Sequence, residues 1–86
     1  MSAPHRLTLY GKPGCHLCEE LRLLVDELQP SYGYVVEEID ITRDPALDER
    51  YRHEIPVVWL DGRERLRGRI SEAELVGVLR GMTKDE

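Results

Sequence analysis

The chain has 86 residues, with 12 basic against 17 acidic side chains and a formal net charge of −5. That length holds one domain, residues 1–86, and leaves no room for a second core. Hydrophobic residues make up 41% and charged residues 34%, a globular balance that argues against disorder, while the acidic excess argues against a general nucleic-acid binder.

The expected elements follow in chain order, inside an ordered core of about 6–81, with polar, frayed ends at Met1–His5 and Thr83–Glu86. Leu7-Thr8-Leu9-Tyr10 alternates as a first strand. Gly11-Lys12-Pro13-Gly14 reads as a turn, because Pro-Gly suits the two central positions of a type II turn. A helix follows, with Leu17, Leu21, Leu24, Val25 and Leu28 on one stripe, ended by Pro30 and Gly33. Tyr34 to Ile41 is a second strand. Asp44, as N-cap, and Pro45, at the first helical position, start a short helix that runs to about His53. Pro56 opens a third strand, Val57–Leu60, apolar throughout and therefore covered on both faces. Asp61-Gly62 turns the chain into a returning strand, Arg63 to Arg69, with arginine at every second position. Ser71 and Glu74 form a capping box for a last helix through Leu75, Val78 and Leu79. The order β-α-β-α-β-β-α predicts an α/β fold, a four-stranded mixed sheet with three helices on its two faces.

The chemistry concentrates at Cys15 and Cys18, spaced C-x-x-C. A disulfide between them would close a loop of only four residues, too short to staple distant elements. Redox chemistry or metal binding explains the pair better than architecture. It lies where a turn becomes a helix, and a helix N-terminus stabilises a thiolate through unpaired N–H groups and partial positive charge. A free thiol with a pKa near 8.5 is only ~3% ionised at pH 7. Bringing it to about 7 needs roughly 2 kcal/mol, of which the helix terminus supplies about half to most. With the apolar stripe as a compass, Cys15 points roughly 135° from the core and Cys18 roughly 75°. Cys15 is therefore expected to be exposed and to attack, and Cys18 to be sheltered and to resolve the mixed disulfide.

Leu9-Tyr10-Gly11-Lys12-Pro13-Gly14-Cys15-His16-Leu17-Cys18 resembles the active-site segment of the glutaredoxins, in the thioredoxin-like superfamily. Ile55-Pro56-Val57 resembles that family's Val-Pro segment, and the glycine-bearing return strand and capped last helix extend the resemblance over nearly the whole chain. It implies a thioredoxin-like fold with the Arg63–Arg69 strand at one edge. It also implies a dithiol oxidoreductase acting on protein disulfides or glutathione mixed disulfides, with no bound cofactor and glutathione or a thioredoxin-reductase-type donor as reductant. Carried over residue by residue, Cys15 is the nucleophile and Cys18 the resolving cysteine. Lys12 would meet the glutathione carboxylate, Pro56 would be cis and face the cysteines, and the backbone of Ile55 would pair with bound peptide. Gly68 stands where the family has a Gly-Gly pair, with Arg67 and Arg69 beside it as binding candidates. His16-Leu17 replaces the usual Pro-Tyr between the cysteines.

His16 is a candidate for tuning the pair, against the plainer reading of a solvated side chain. Tyr10, at the strand end, either lines the substrate groove or packs. Trp59 is expected in the core. The arginine strand has its own plain reading, charges that keep a sheet edge from pairing with another. Two cysteines with His5, His16 and His53 lack the spacing of a closed zinc site, so no metal is expected. A non-enzymatic thioredoxin-fold interaction module is the alternative, and a metal or iron–sulfur protein a weaker one. No apolar run approaches the roughly 20 residues that cross a bilayer, and no segment has the core of a secretory leader. A monomer in a reducing cytoplasm, free of membrane and nucleic-acid partners, is therefore the expected setting.

Overall fold

A computed structural model describes residues 4–84. Strand β1, His5–Gly11, leads into helix α1, His16–Tyr32, and then strand β2, Tyr34–Asp40. A 3-10 turn, Ile41–Arg43, precedes helix α2, Pro45–Tyr51. Strands β3, Val57–Leu60, and β4, Arg63–Arg67, form a hairpin, and helix α3, Glu72–Lys84, completes the described chain. The sheet order is β2-β1-β3-β4, with β1 and β2 parallel and both other pairings antiparallel. This is the four-stranded mixed α/β sheet that the element order predicts, and β4 lies at an edge as expected.

The local signals act where the sequence puts them. Asp44 caps α2 by accepting the Ala46 and Leu47 N–H groups. Ser71 and Glu74 exchange reciprocal bonds of 2.9 and 3.1 Å at the start of α3. Asp61 and Gly62 both take positive φ, 53° and 84°, the pair of left-handed residues that a type I′ hairpin turn requires.

Several boundaries differ. Helix α1 runs through Pro30 to Tyr32 and stops only at Gly33, whose N–H donates to the Gln29 carbonyl at 2.8 Å. In the last turn a proline forfeits one N–H bond without ending the helix. β2 ends at Asp40 and does not reach Ile41, because Asp40 accepts from both the N–H and the hydroxyl of Thr42 and turns the chain. α2 ends at Tyr51, where the Glu54 and Ile55 N–H groups converge on one carbonyl. β4 ends at Arg67, because the Gly68 N–H leaves the ladder for the carbonyls of Pro56 and Glu54 at 2.8 and 3.1 Å. β1 begins at His5 and α3 extends to Lys84, while residues 1–3 and 85–86 of the expected frayed ends lie outside the described residues.

The main core lies between the sheet and α1 and α3: Leu7, Leu9, Val58 and Leu60 from strands pack on Leu21, Val25, Leu75, Val78, Leu79 and Met82. The opposite face carries a smaller cluster of Ile41, Tyr51 and Val57, with Tyr10, Leu47, Ile55 and Trp59 half-buried around it.

Candidate active site

β1 delivers the chain to the site and ends at Gly11. The Cys15 N–H donates to the Lys12 carbonyl at 3.3 Å, and Gly14 sits at φ +81°. This is the expected type II turn, with glycine where the backbone is left-handed. Cys15 is the N-cap of α1, its backbone extended, and its Sγ accepts the Cys18 N–H at 3.2 Å. Sulfur thus occupies the position that a serine or aspartate oxygen fills at other helix starts, facing an otherwise unpaired donor.

The two cysteines are joined by a disulfide, with Cα atoms 5.2 Å apart. Both are half-buried. In this disulfide-bonded form Cys18 is packed against Gly11, while Cys15 stands at the cap of α1.

The Ile55–Pro56 peptide is cis. The register that pairs Tyr10 with Val57 brings buried Pro56 alongside the end of β1, from which the cysteine turn departs. A C-x-x-C disulfide at a helix start and a cis-proline meeting at one end of a β2-β1-β3-β4 sheet is a family-level arrangement. Residues 6–80 match the family model described as Glutaredoxin-like domain (DUF836). The chain belongs to that glutaredoxin-like family. Protein Ne2328 of Nitrosomonas europaea is similar at 28% identity over 91% of this chain and 93% of its own, with a TM-score of 0.74. A protein of X. campestris is also 28% identical, over 87% and 96% of the two chains, with a TM-score of 0.74. A mutant thioredoxin of Halobacterium salinarum shares the fold, with a TM-score of 0.73 and 23% identity over 95% of this chain and 77% of that one. With its disulfide, this glutaredoxin-like chain is a redox-type thiol protein of thioredoxin-like fold.

The remaining candidates of the glutaredoxin-like chain divide sharply. Arg67 is held: it donates to Glu54 at 2.9 Å and forks onto Glu64, and the bonds to Glu64 and then Glu54 raise its pKa further. That pairing ties β4 to the segment before the cis-proline, so Arg67 is not a free cation waiting for a carboxylate. Gly68 anchors the same segment through its N–H. Arg69 is exposed and borders a groove of about 460 Å³ with Leu17, Leu24 and Ile70. Lys12 is exposed on the rim of a second groove, about 570 Å³, that also takes in Gly11, Cys18, Leu23 and Ile39. Ile55 is half-buried beside Pro56.

His16 is exposed, 2.9 Å from Glu20 one helical turn on. Tyr10 packs on the Tyr51 ring at 5.2 Å and the Trp59 ring at 6.2 Å. Burial first, then Tyr51 and Glu37, push its phenol up against the opposing pull of Arg50. Trp59 is half-buried in that aromatic cluster.

Three participants were missed by sequence reading. Glu54 holds Arg67, yet nothing local distinguishes it from other surface acids. Arg22 reaches from α1 to Glu38 on β2 at 2.6 Å, bracing the helix against the sheet beside the disulfide. Gly11 lies directly under Cys18: a Cβ there would stand 3.0 Å from the Cys18 Sγ and 3.2 Å from its Cβ. A glycine on the inward face of a strand is the one signal that could have found it.

Proposed function

We propose that this chain is a small dithiol thiol-disulfide oxidoreductase of glutaredoxin type. The observation that carries the reading is the Cys15 sulfur at the N-cap of α1, accepting the Cys18 N–H. A group held there is favoured as an anion, and the thiolate is the attacking species. The Cys15 thiolate attacks a client disulfide, protein–protein or protein–glutathione. A mixed disulfide forms, and one client sulfur leaves as thiolate. Cys18 then attacks the Cys15 sulfur, releasing the second client sulfur and closing the internal disulfide. Two electrons pass to the client, and two thiols from glutathione, or a thioredoxin-reductase-type donor, restore the pair. The cis-Pro56 segment offers the Ile55 backbone as a docking edge, and Lys12 and Arg69 are the exposed cations toward a glutathione carboxylate. No bound cofactor enters this scheme, and a monomer in the reducing cytoplasm suits it.

Reduction of a glutathionylated peptide, coupled to glutathione reductase, tests the reading. Turnover should be present in the wild type and abolished in Cys15→Ser, while Cys18→Ser should accumulate mixed disulfides. Full activity in Cys15→Ser would refute the mechanism. Absence of turnover in the wild type would remove glutathione as donor, and the same assay run with thioredoxin reductase then decides between an enzyme and an interaction module.

A further inference from the structure

We propose that Gly11 is the positioning residue for Cys18, leaving the space in which its sulfur sits when the internal disulfide closes. The inference rests on the reading that the pair cycles between dithiol and disulfide. Along β1 the inward positions are Leu7, Leu9 and Gly11, and the first two are buried under α1. The third has no side chain, and Cys18 occupies its place, with its Sγ and Cβ at 3.0 and 3.2 Å from where a Cβ would be. Backbone conformation does not demand glycine here. The glycines with positive φ are Gly14, Gly33, Gly62 and Gly68, and Gly11 is not one of them. What glycine supplies at this position is room.

The two contacts act differently in the two redox states. Cys18 Cβ is fixed by α1, so crowding at 3.2 Å is common to dithiol and disulfide. Cys18 Sγ can rotate away in the dithiol but is held in place once bonded to Cys15. A methyl at position 11 therefore penalises the disulfide more than the dithiol. The equilibrium concerned is one protein disulfide plus two glutathione thiols giving one protein dithiol plus glutathione disulfide, with two electrons transferred.

The test equilibrates wild type and Gly11→Ala in mixtures of glutathione and glutathione disulfide, reading dithiol against disulfide by alkylation and mass. The variant should shift toward the dithiol by about threefold or more. The alkylation rate of Cys15 in the reduced protein should stay within about twofold of wild type, since its cap is untouched. An unchanged equilibrium overturns the proposal. If wild type itself never closes the disulfide in this buffer, the redox reading falls and the inference with it, whereas a cycling wild type with an unshifted variant removes the inference alone. Should Gly11→Ala fail to fold when oxidised, Cys18→Ala provides a second measurement by removing the sulfur. The Gly11→Ala, Cys18→Ala double variant should then regain a cooperative urea transition, and equal failure in both backgrounds overturns the assignment.

Discussion

The two faces of the sheet are held by different chemistry. On the α1/α3 face, leucines and valines from four elements, β1, α1, β3 and α3, close over one another, and Leu7, Val25, Val58, Leu75 and Leu79 are fully buried. On the α2 face, a helix of seven residues leaves Tyr10, Leu47, Ile55 and Trp59 only half-buried. That face is completed by polar links, Arg67 to Glu54 and Glu64, and Gly68 to the Pro56 carbonyl. The first face fixes the helix that carries Cys15 and Cys18. The second holds the cis-proline segment, which the proposed reaction needs for docking. The disulfide thus sits on a packed platform, while the cis-proline segment hangs on bonds that water and ions can compete for.

The sharpest way to break that contrast is truncation on each face. Leu79→Ala, on the packed face, should cost about 2–5 kcal/mol, because it removes a fully buried side chain and leaves a cavity. Leu47→Ala, on the open face, should cost about 1 kcal/mol, since part of that side chain already meets solvent. Urea unfolding of the oxidised proteins measures both, and equal losses would dissolve the distinction.

Tyr34 sharpens it further. Its ring is buried in the packed face and its hydroxyl donates to the Val25 carbonyl at 2.6 Å. Burial first, then Asp26 and Tyr32, push the phenol up to about 12. The folded value lies above the unfolded value of about 10, so the neutral phenol's contribution is whole below about pH 10. It is then lost as pH rises toward about 12. Tyr34→Phe should cost about 1 kcal/mol at neutral pH and reduce the alkaline loss of stability. Unfolding midpoints from pH 8 to 12 would show this, and an alkaline slope unchanged from wild type would contradict it.

The smallest effect on stability belongs to Arg67. Arg67→Ala should leave the unfolding midpoint near wild type, because its ion pairs are exposed. It should raise KM for disulfide clients with kcat little changed, by loosening the segment before Pro56. A fall in kcat with KM constant would instead tie Arg67 to the chemical step.

What the amino-acid sequence settled by itself was local. The type II turn, the helix start at Cys15, the Asp44-Pro45 cap, the Asp61-Gly62 hairpin and the Ser71–Glu74 box are each decided by residues within four positions of one another. The element order followed from them, and the motif around Cys15 and Cys18 pointed to the family. Several boundaries moved where a remote or side-chain partner intervened, as when Thr42 ended β2 through Asp40 and Gly68 left β4 for Pro56. Tertiary structure alone decided that Glu54 meets Arg67 across 13 positions, and that Arg22 braces Glu38 across 16. It also brought the rings of Tyr10 and Trp59 together and placed the Cys18 sulfur over Gly11. Periodicity tells which face of a strand or helix is apolar, but not which side chain of another element arrives opposite it. That depends on strand register and helix docking, and both are set only when the whole core closes.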